Sequence, residues 1–111
     1  MRLRHIRGAE EAIETSPFVV QEPKEHRGHF CELFGNTNPI QIEVGMGKGK
    51  FIMELAQKHP ETNFIGIERY SSVLLRALQK REELEIPNIY FMCVDAKELG
   101  EIFEPGEVEK I

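Results

Sequence analysis

The sequence predicts an α/β fold built on a doubly wound parallel sheet. Three observations carry that prediction. Short apolar runs alternate with stretches of helical periodicity from residue 40 onward. The first run ends in Gly45-Met46-Gly47-Lys48-Gly49 and passes straight into a helical pattern. The next two runs each end in an acid, Glu68 and Asp95.

Residues 1–39 are the least regular and read as an N-terminal extension packed on the domain. Ala9 to Glu14 predicts one or two helical turns, which Ser16-Pro17 ends because the residue before proline is pushed out of the helical region. Phe18-Val19-Val20 predicts a short extended piece. Residues 21–29 are polar and aperiodic. His26-Arg27-Gly28-His29-Phe30-Cys31 lacks a fourth ligand and a metal-site spacing, so it reads as a polar loop. Phe30 to Phe34 has some apolar content, and Gly35-Asn36-Thr37-Asn38-Pro39 is a turn cluster.

Ile40 to Val44 predicts the first strand. Lys50 to Lys58 predicts a helix with Phe51, Ile52, Leu55 and Ala56 on one face, stopped by Pro60. Asn63 to Glu68 predicts the second strand. Ser71 or Ser72 is placed to cap a second helix with Val73, Leu74, Ala77 and Leu78 facing inward, closed by Ile86-Pro87-Asn88. Ile89 to Val94 is a nearly unbroken apolar run, as expected of a parallel strand covered on both faces. Asp95 is placed to cap a short helix carrying Leu99, Ile102 and Phe103, which Pro105-Gly106 terminates. Val108-Glu109-Lys110-Ile111 reads as the approach to a fourth strand. In a doubly wound sheet that strand lies beside the first, so the chain is expected to be incomplete at its C-terminus and its first strand to keep an open edge.

Composition narrows the function class. With 111 residues the chain is one domain at most, and no apolar run approaches a membrane span. The basic start, Met1 to Arg7, has no apolar segment behind it and is not a secretory signal. Cys31 and Cys93 form no disulfide framework, which fits a reducing cytoplasm, and Cys93 reads as a small buried thiol in a strand. The net charge of −5 argues weakly against nucleic-acid binding, but it is uneven. The first seven residues hold three arginines and a histidine with no acid, and the last fourteen hold five glutamates and one lysine.

The glycine turn points to an adenosine-containing cofactor. Gly45, Gly47 and Gly49 let the backbone turn sharply and approach a ligand, and the helix start adds free N–H groups suited to a carboxylate. Glu68 is placed to accept both hydroxyls of a ribose, and Asp95 or the backbone beside it to meet an adenine amino group. Glu43, just before the first glycine, is placed to face an ammonium. S-Adenosylmethionine, a net cation with a sulfonium and an ammonium, suits three acids. The dinucleotide fingerprint fails at Lys50, where its third glycine belongs, and a P-loop fails at Val44 and Phe51. Ser71 and Ser72 lack the context of a nucleophile. Lys48 and Lys50 read at least as readily as a solvated helix start as they do as phosphate contacts beside the cofactor.

Phe34-Gly35-Asn36, Pro39, Ile42 to Gly49, Gly66-Ile67-Glu68-Arg69-Tyr70-Ser71-Ser72-Val73-Leu74, Asn88-Ile89 and Asp95-Ala96, together with the opening Met1-Arg2-Leu3-Arg4, resemble bacterial tRNA (guanine-N7-)-methyltransferases. The resemblance covers essentially the whole chain. It implies a Rossmann-like class I methyltransferase fold, here its first three parallel strands with crossover helices. Residues 40–111 would then be the N-terminal half of the S-adenosylmethionine-binding domain. It implies Glu43, Glu68 and Asp95 as cofactor contacts, with Gly45, Gly47 and Gly49 contributing backbone, and a variable-loop guanine of tRNA as methyl acceptor. That family's Asp-Pro-Trp-Pro-Lys segment has no counterpart here, and the chain holds no tryptophan. The chain by itself is therefore expected to be inactive, and no residue stands out as a general base. Two other readings fit the same residues: a class I methyltransferase with another substrate, and a non-catalytic module that pairs, or self-associates, through the open sheet edge.

Overall fold

The computed structural model describes residues 8–109, so the basic segment Met1 to Arg7 and the terminal Lys110-Ile111 lie outside the described residues. Helix α1 (Ala9–Thr15) and a 3-10 turn (Pro23–His26) precede helix α2 (Phe30–Phe34). Strand β1 (Ile40–Val44), helix α3 (Lys50–Lys58), strand β2 (Asn63–Ile67), helix α4 (Ser71–Leu84) and strand β3 (Ile89–Met92) follow. A second 3-10 turn (Ala96–Glu98) leads into helix α5 (Leu99–Ile102). The strands form one parallel sheet in the order β1-β2-β3, with Ile40 opposite Asn63 and Phe64 opposite Ile89.

Strand alternation splits the core in two. Phe64, Ile89 and Phe91 pack with Ile13 of α1, with Ile52, Met53 and Ala56 of α3, and with Leu74, Ala77 and Leu78 of α4. Ile40, Ile42, Ile65, Ile67 and Met92 face the opposite way, onto Phe30, Ile102 and Phe103. Both faces of the sheet are thereby covered, which is why β2 is buried at every residue.

The predicted strands and helices appear close to their expected bounds, with four differences of physical interest. Phe51 was expected on the core face of α3 but is 62% exposed, and Ile52, Met53 and Ala56 form that face instead. Neither Ser71 nor Ser72 caps α4. Tyr70 occupies the cap position without a side-chain bond, and Ser71 is already helical. Phe18 to Val20 is more than an extended piece: it lines the outer edge of β3, with Phe91 N–H donating to the Phe18 carbonyl (2.9 Å) and Val20 N–H donating to the Phe91 carbonyl (2.7 Å). Cys93 lies just beyond β3 and is only half-buried, with Sγ 3.6 Å from the Arg69 carbonyl oxygen.

The N-terminal extension is fastened at several points. The Arg81 guanidinium of α4 lies 3.6 Å from the centre of the Phe18 ring, a cation–π contact made by an arginine only 7% exposed. Arg27 donates to the carbonyls of Gly100 (2.8 Å) and Phe103 (2.9 Å), closing the C-terminal end of α5. Asn88 does similar work where α3 ends. Its Nδ2 donates to the Ala56, His59 and Thr62 carbonyls at 3.0, 3.1 and 2.9 Å. Asn88→Ala strands these buried acceptors and is expected to cost about 1–3 kcal/mol in urea unfolding. An unchanged midpoint would show that water replaces the amide.

The β1 edge opposite β2 is mostly unpaired. Pro39 and Gly45 bond toward β2, through Asn63 N–H and the Ile67 carbonyl, so by alternation Ile40, Ile42 and Val44 turn their N–H and C=O groups outward. Of these, the Ile40 carbonyl accepts from Glu109 N–H at 2.7 Å.

Candidate functional site

The Gly45–Gly49 turn sits at the C-terminal end of the sheet, where open α/β folds bind ligands. Gly45, Gly47 and Gly49 take φ values of +68°, +62° and +78°, a left-handed conformation that other residues rarely adopt. A Cβ at Gly45 or Gly47 would meet nothing within 4 Å, so the first two glycines border open space rather than packed core. Gly45 and Met46 N–H both donate to the Ile67 carbonyl (2.9 and 3.1 Å), which ties the turn to the end of β2.

Glu68 is the pivot. It is 7% exposed. Its Oε1 accepts from Gly47 N–H at 3.0 Å and its Oε2 from Tyr70 N–H at 3.2 Å. One carboxylate thus fixes both the glycine turn and the start of α4, and it takes the Tyr70 N–H that a serine cap would leave to other partners. Behind the turn, Met46 folds back onto Gly66 of β2, where an added Cβ would overlap the thioether sulfur and lie 3.1 Å from the Phe91 ring.

A cavity of about 350 Å³ opens beside this turn, lined by Val44, Gly45, Ile67, Glu68, Arg69, Tyr70, Val94, Asp95 and Ala96. Asp95 Oδ1 accepts from Lys97 N–H (3.0 Å), and Oδ2 lies 3.2 Å from Arg69 Nη1. The Lys97 N–H bond, with the charges of Lys97 and Arg69, holds the Asp95 carboxyl below the usual aspartate range. Arg69 also donates to the Tyr70 hydroxyl (2.6 Å) and covers the Tyr70 ring. Arg69 and Tyr70 stand in the sequence only as part of a longer motif with no site role of their own, although their position directly after a strand-end acid is the signal that could have assigned one.

The structure brings Gly45, Glu68 and Asp95 to one cavity and places Glu43 at another. Glu43 points toward α3 and lines a separate cavity of about 460 Å³, with Phe51, Leu55, His59 and Phe64, at the open edge of β1. Its Oε1 is buried and has no hydrogen-bond partner among the described residues. Burial pushes its pKa up. A carboxyl raised in this way binds its proton more readily folded than unfolded, so its stabilising contribution is lost as pH rises through and above the ordinary glutamate range. Glu43→Gln is therefore expected to raise the thermal midpoint at pH 7 and to leave it nearly unchanged at pH 4. A drop at pH 7 would instead mean that the carboxylate has a partner.

With this geometry in place, comparison with known proteins identifies the class. Residues 37–111 match a family model described as "Putative methyltransferase", and the chain belongs to that family. Over its whole length it is 54% identical to the tRNA (guanine-N(7)-)-methyltransferase of Lachnoclostridium phytofermentans, of which it covers 52%. It is 51% identical to the protein of the same name from Geobacillus sp. strain WCH70, of which it covers 51%. The chain thus spans about half the length of these curated relatives. The fold is also that of a solved antibiotic-related methyltransferase, with a TM-score of 0.56 and 24% identity over 70% of this chain and 39% of that one. No helix among the described residues is long and apolar enough to cross a membrane.

Proposed function

We propose that the cavity beside Gly45 binds S-adenosylmethionine and that the chain serves methyl transfer to N7 of a variable-loop guanine in tRNA, a cytoplasmic tRNA-modification step. The observation that carries the first half is the junction of a left-handed glycine turn with two carboxylates around one cavity, Glu68 directly after β2 and Asp95 at the cap of the 3-10 turn that follows β3. The second half rests on similarity over the whole chain to proteins named for that reaction.

The residues fit the cofactor in charge and shape. S-Adenosylmethionine supplies an activated methyl group on a sulfonium. Glu68 retains lone pairs for ribose hydroxyls while holding the turn, and Asp95 presents its carboxylate at the adenine end, where Arg69 shares it. The open faces of Gly45 and Gly47 admit the methionine portion against backbone, with Gly49 beginning α3. Glu43 would reach the ammonium only through water or a shift of its side chain, since it lines the neighbouring cavity. Guanine N7 carries a free lone pair and needs no base, so the protein's task is to align the two reactants.

Radiolabelled S-adenosylmethionine with unmodified tRNA tests this reading. A polypeptide of the relatives' full length should label the tRNA, and a transcript with 7-deazaguanine at the acceptor position should stay unlabelled. The 111 residues alone should bind cofactor without turnover. Labelling of the 7-deaza transcript would reject N7 as the acceptor. The outward groups of β1, beside exposed Phe51 and half-exposed Val44, also offer a pairing edge for a second copy. A concentration-independent monomer in light scattering would remove that reading.

A further inference from the structure

The chain carries five more acidic than basic residues, yet one groove has the opposite balance. Between α3 and α4, Lys48, Lys50, Arg76 and Lys80 surround a cavity of about 400 Å³ with Glu54 as its one carboxylate. Met53 and Leu84 contribute apolar surface. Among the described residues none of these four cations is held in an ion pair, as Arg27, Lys58, Arg81 and Lys97 are not, but only here do four such cations line one cavity. Four unneutralised cations gathered on an acidic protein repel one another, a cost that a bound polyanion would relieve.

We infer that this groove holds the phosphate backbone of RNA. Charge complementarity favours a polyanion, and position favours nucleic acid. Lys48 lies inside the glycine turn, between Gly47 and Gly49, and Lys50 is the first residue of α3. The basic groove therefore starts at the rim of the proposed cofactor site and runs down the parallel pair α3 and α4. A strand laid along it would approach the methyl-transfer end of the sheet at one end. Gln57 is the one amide in the groove's lining and no aromatic side chain joins it, too few groups to read a base sequence, so recognition there is of backbone. The inference deepens the tRNA reading and rests on it for the identity of the RNA, but not for the groove's affinity for phosphate.

The test is anisotropy of a fluorescein-labelled, unmodified tRNA transcript titrated with the 111-residue chain between about 50 and 200 mM salt. S-Adenosylhomocysteine affinity is measured alongside by calorimetry. The double variant Arg76→Glu/Lys80→Glu should bind tRNA about tenfold more weakly or worse, and lower the slope of log K against log salt by about two. Its unchanged S-adenosylhomocysteine affinity would show that it is folded. Glu54→Lys, which misfolding cannot imitate, should tighten tRNA binding. Equal RNA affinity and salt slope in the double variant and the parent would overturn the inference, as would absence of salt-dependent tRNA binding by the parent. Displacement of tRNA by polyglutamate at equal charge would also overturn it, in favour of an acidic protein partner. Loss of cofactor binding with the RNA response intact would support the groove while counting against the methyltransferase reading.

Discussion

Glu68→Ala is expected to weaken S-adenosylhomocysteine binding by roughly 10- to 150-fold, the equivalent of about 1.5–3 kcal/mol for hydrogen bonds to a charged group. The carboxylate acts twice. It holds Gly47 N–H and Tyr70 N–H in the structure described here, and it is the acceptor proposed for the ribose. Its removal leaves two backbone donors without their partner at a site only 7% exposed. Glu68→Gln keeps one acceptor oxygen but turns an amide donor toward the other N–H, so an intermediate loss is expected. Calorimetry on the two variants separates the roles. A Glu68→Ala chain that is destabilised in urea yet binds with unchanged affinity would leave Glu68 as a clasp for the turn and rule out its contact with ribose.

Gly66→Ala is expected to be among the most damaging single methyl additions in the chain. Gly66 sits in the middle of the sheet, between Met46 from the glycine turn and Phe91 from β3. A Cβ there overlaps the Met46 sulfur and crowds the ring, and both neighbours are buried. Overpacking of this kind costs about 1–3 kcal/mol. Because Met46 belongs to the turn, the cofactor site should suffer with the core. Combining the change with Met46→Ala should recover part of the stability, since it removes the sulfur that the new methyl meets. A double variant no more stable than Gly66→Ala alone would place the conflict at Phe91.

The sequence made β1, α3 and β2 legible because their periodicities are uninterrupted and their ends are marked by Pro39, Gly45 and Pro60. Glu68 was legible as a strand-end acid for the same reason, whereas β3 stops at Met92 and Asp95 stands beyond it as the cap of a 3-10 turn. What escaped were contacts between residues distant in sequence. The pairing of Val19 with Phe91, and the stacking of Arg81 on Phe18, depend on where the extension lands rather than on local pattern. Phe51 was misplaced because helical periodicity assigns a face without saying whether a neighbour covers it. The sheet ends at β1 on that side, and Phe51 faces outward beside it. The serine cap of α4 failed because the helix starts one residue early: Tyr70 takes the cap position and its carbonyl accepts from Val73 and Leu74 N–H. Glu43 shows a related limit. Its place in the chain is fixed by the motif, but strand alternation sends its side chain toward α3, away from the cavity that Gly45, Glu68 and Asp95 share.

The cavity beside Gly45 is expected to take S-adenosylmethionine or its demethylated product. Titration of the ¹⁵N-labelled chain with S-adenosylhomocysteine, followed by amide chemical shifts, tests it most directly. The amides of Gly45, Gly47, Glu68 and Asp95 to Lys97 should move together and saturate as one site, with Gly47 responding most because its N–H is already held by Glu68. Shifts that never saturate, or that appear only at Phe51, Leu55 and His59 around the Glu43 cavity, would mean that the cavity beside Gly45 is not the cofactor site.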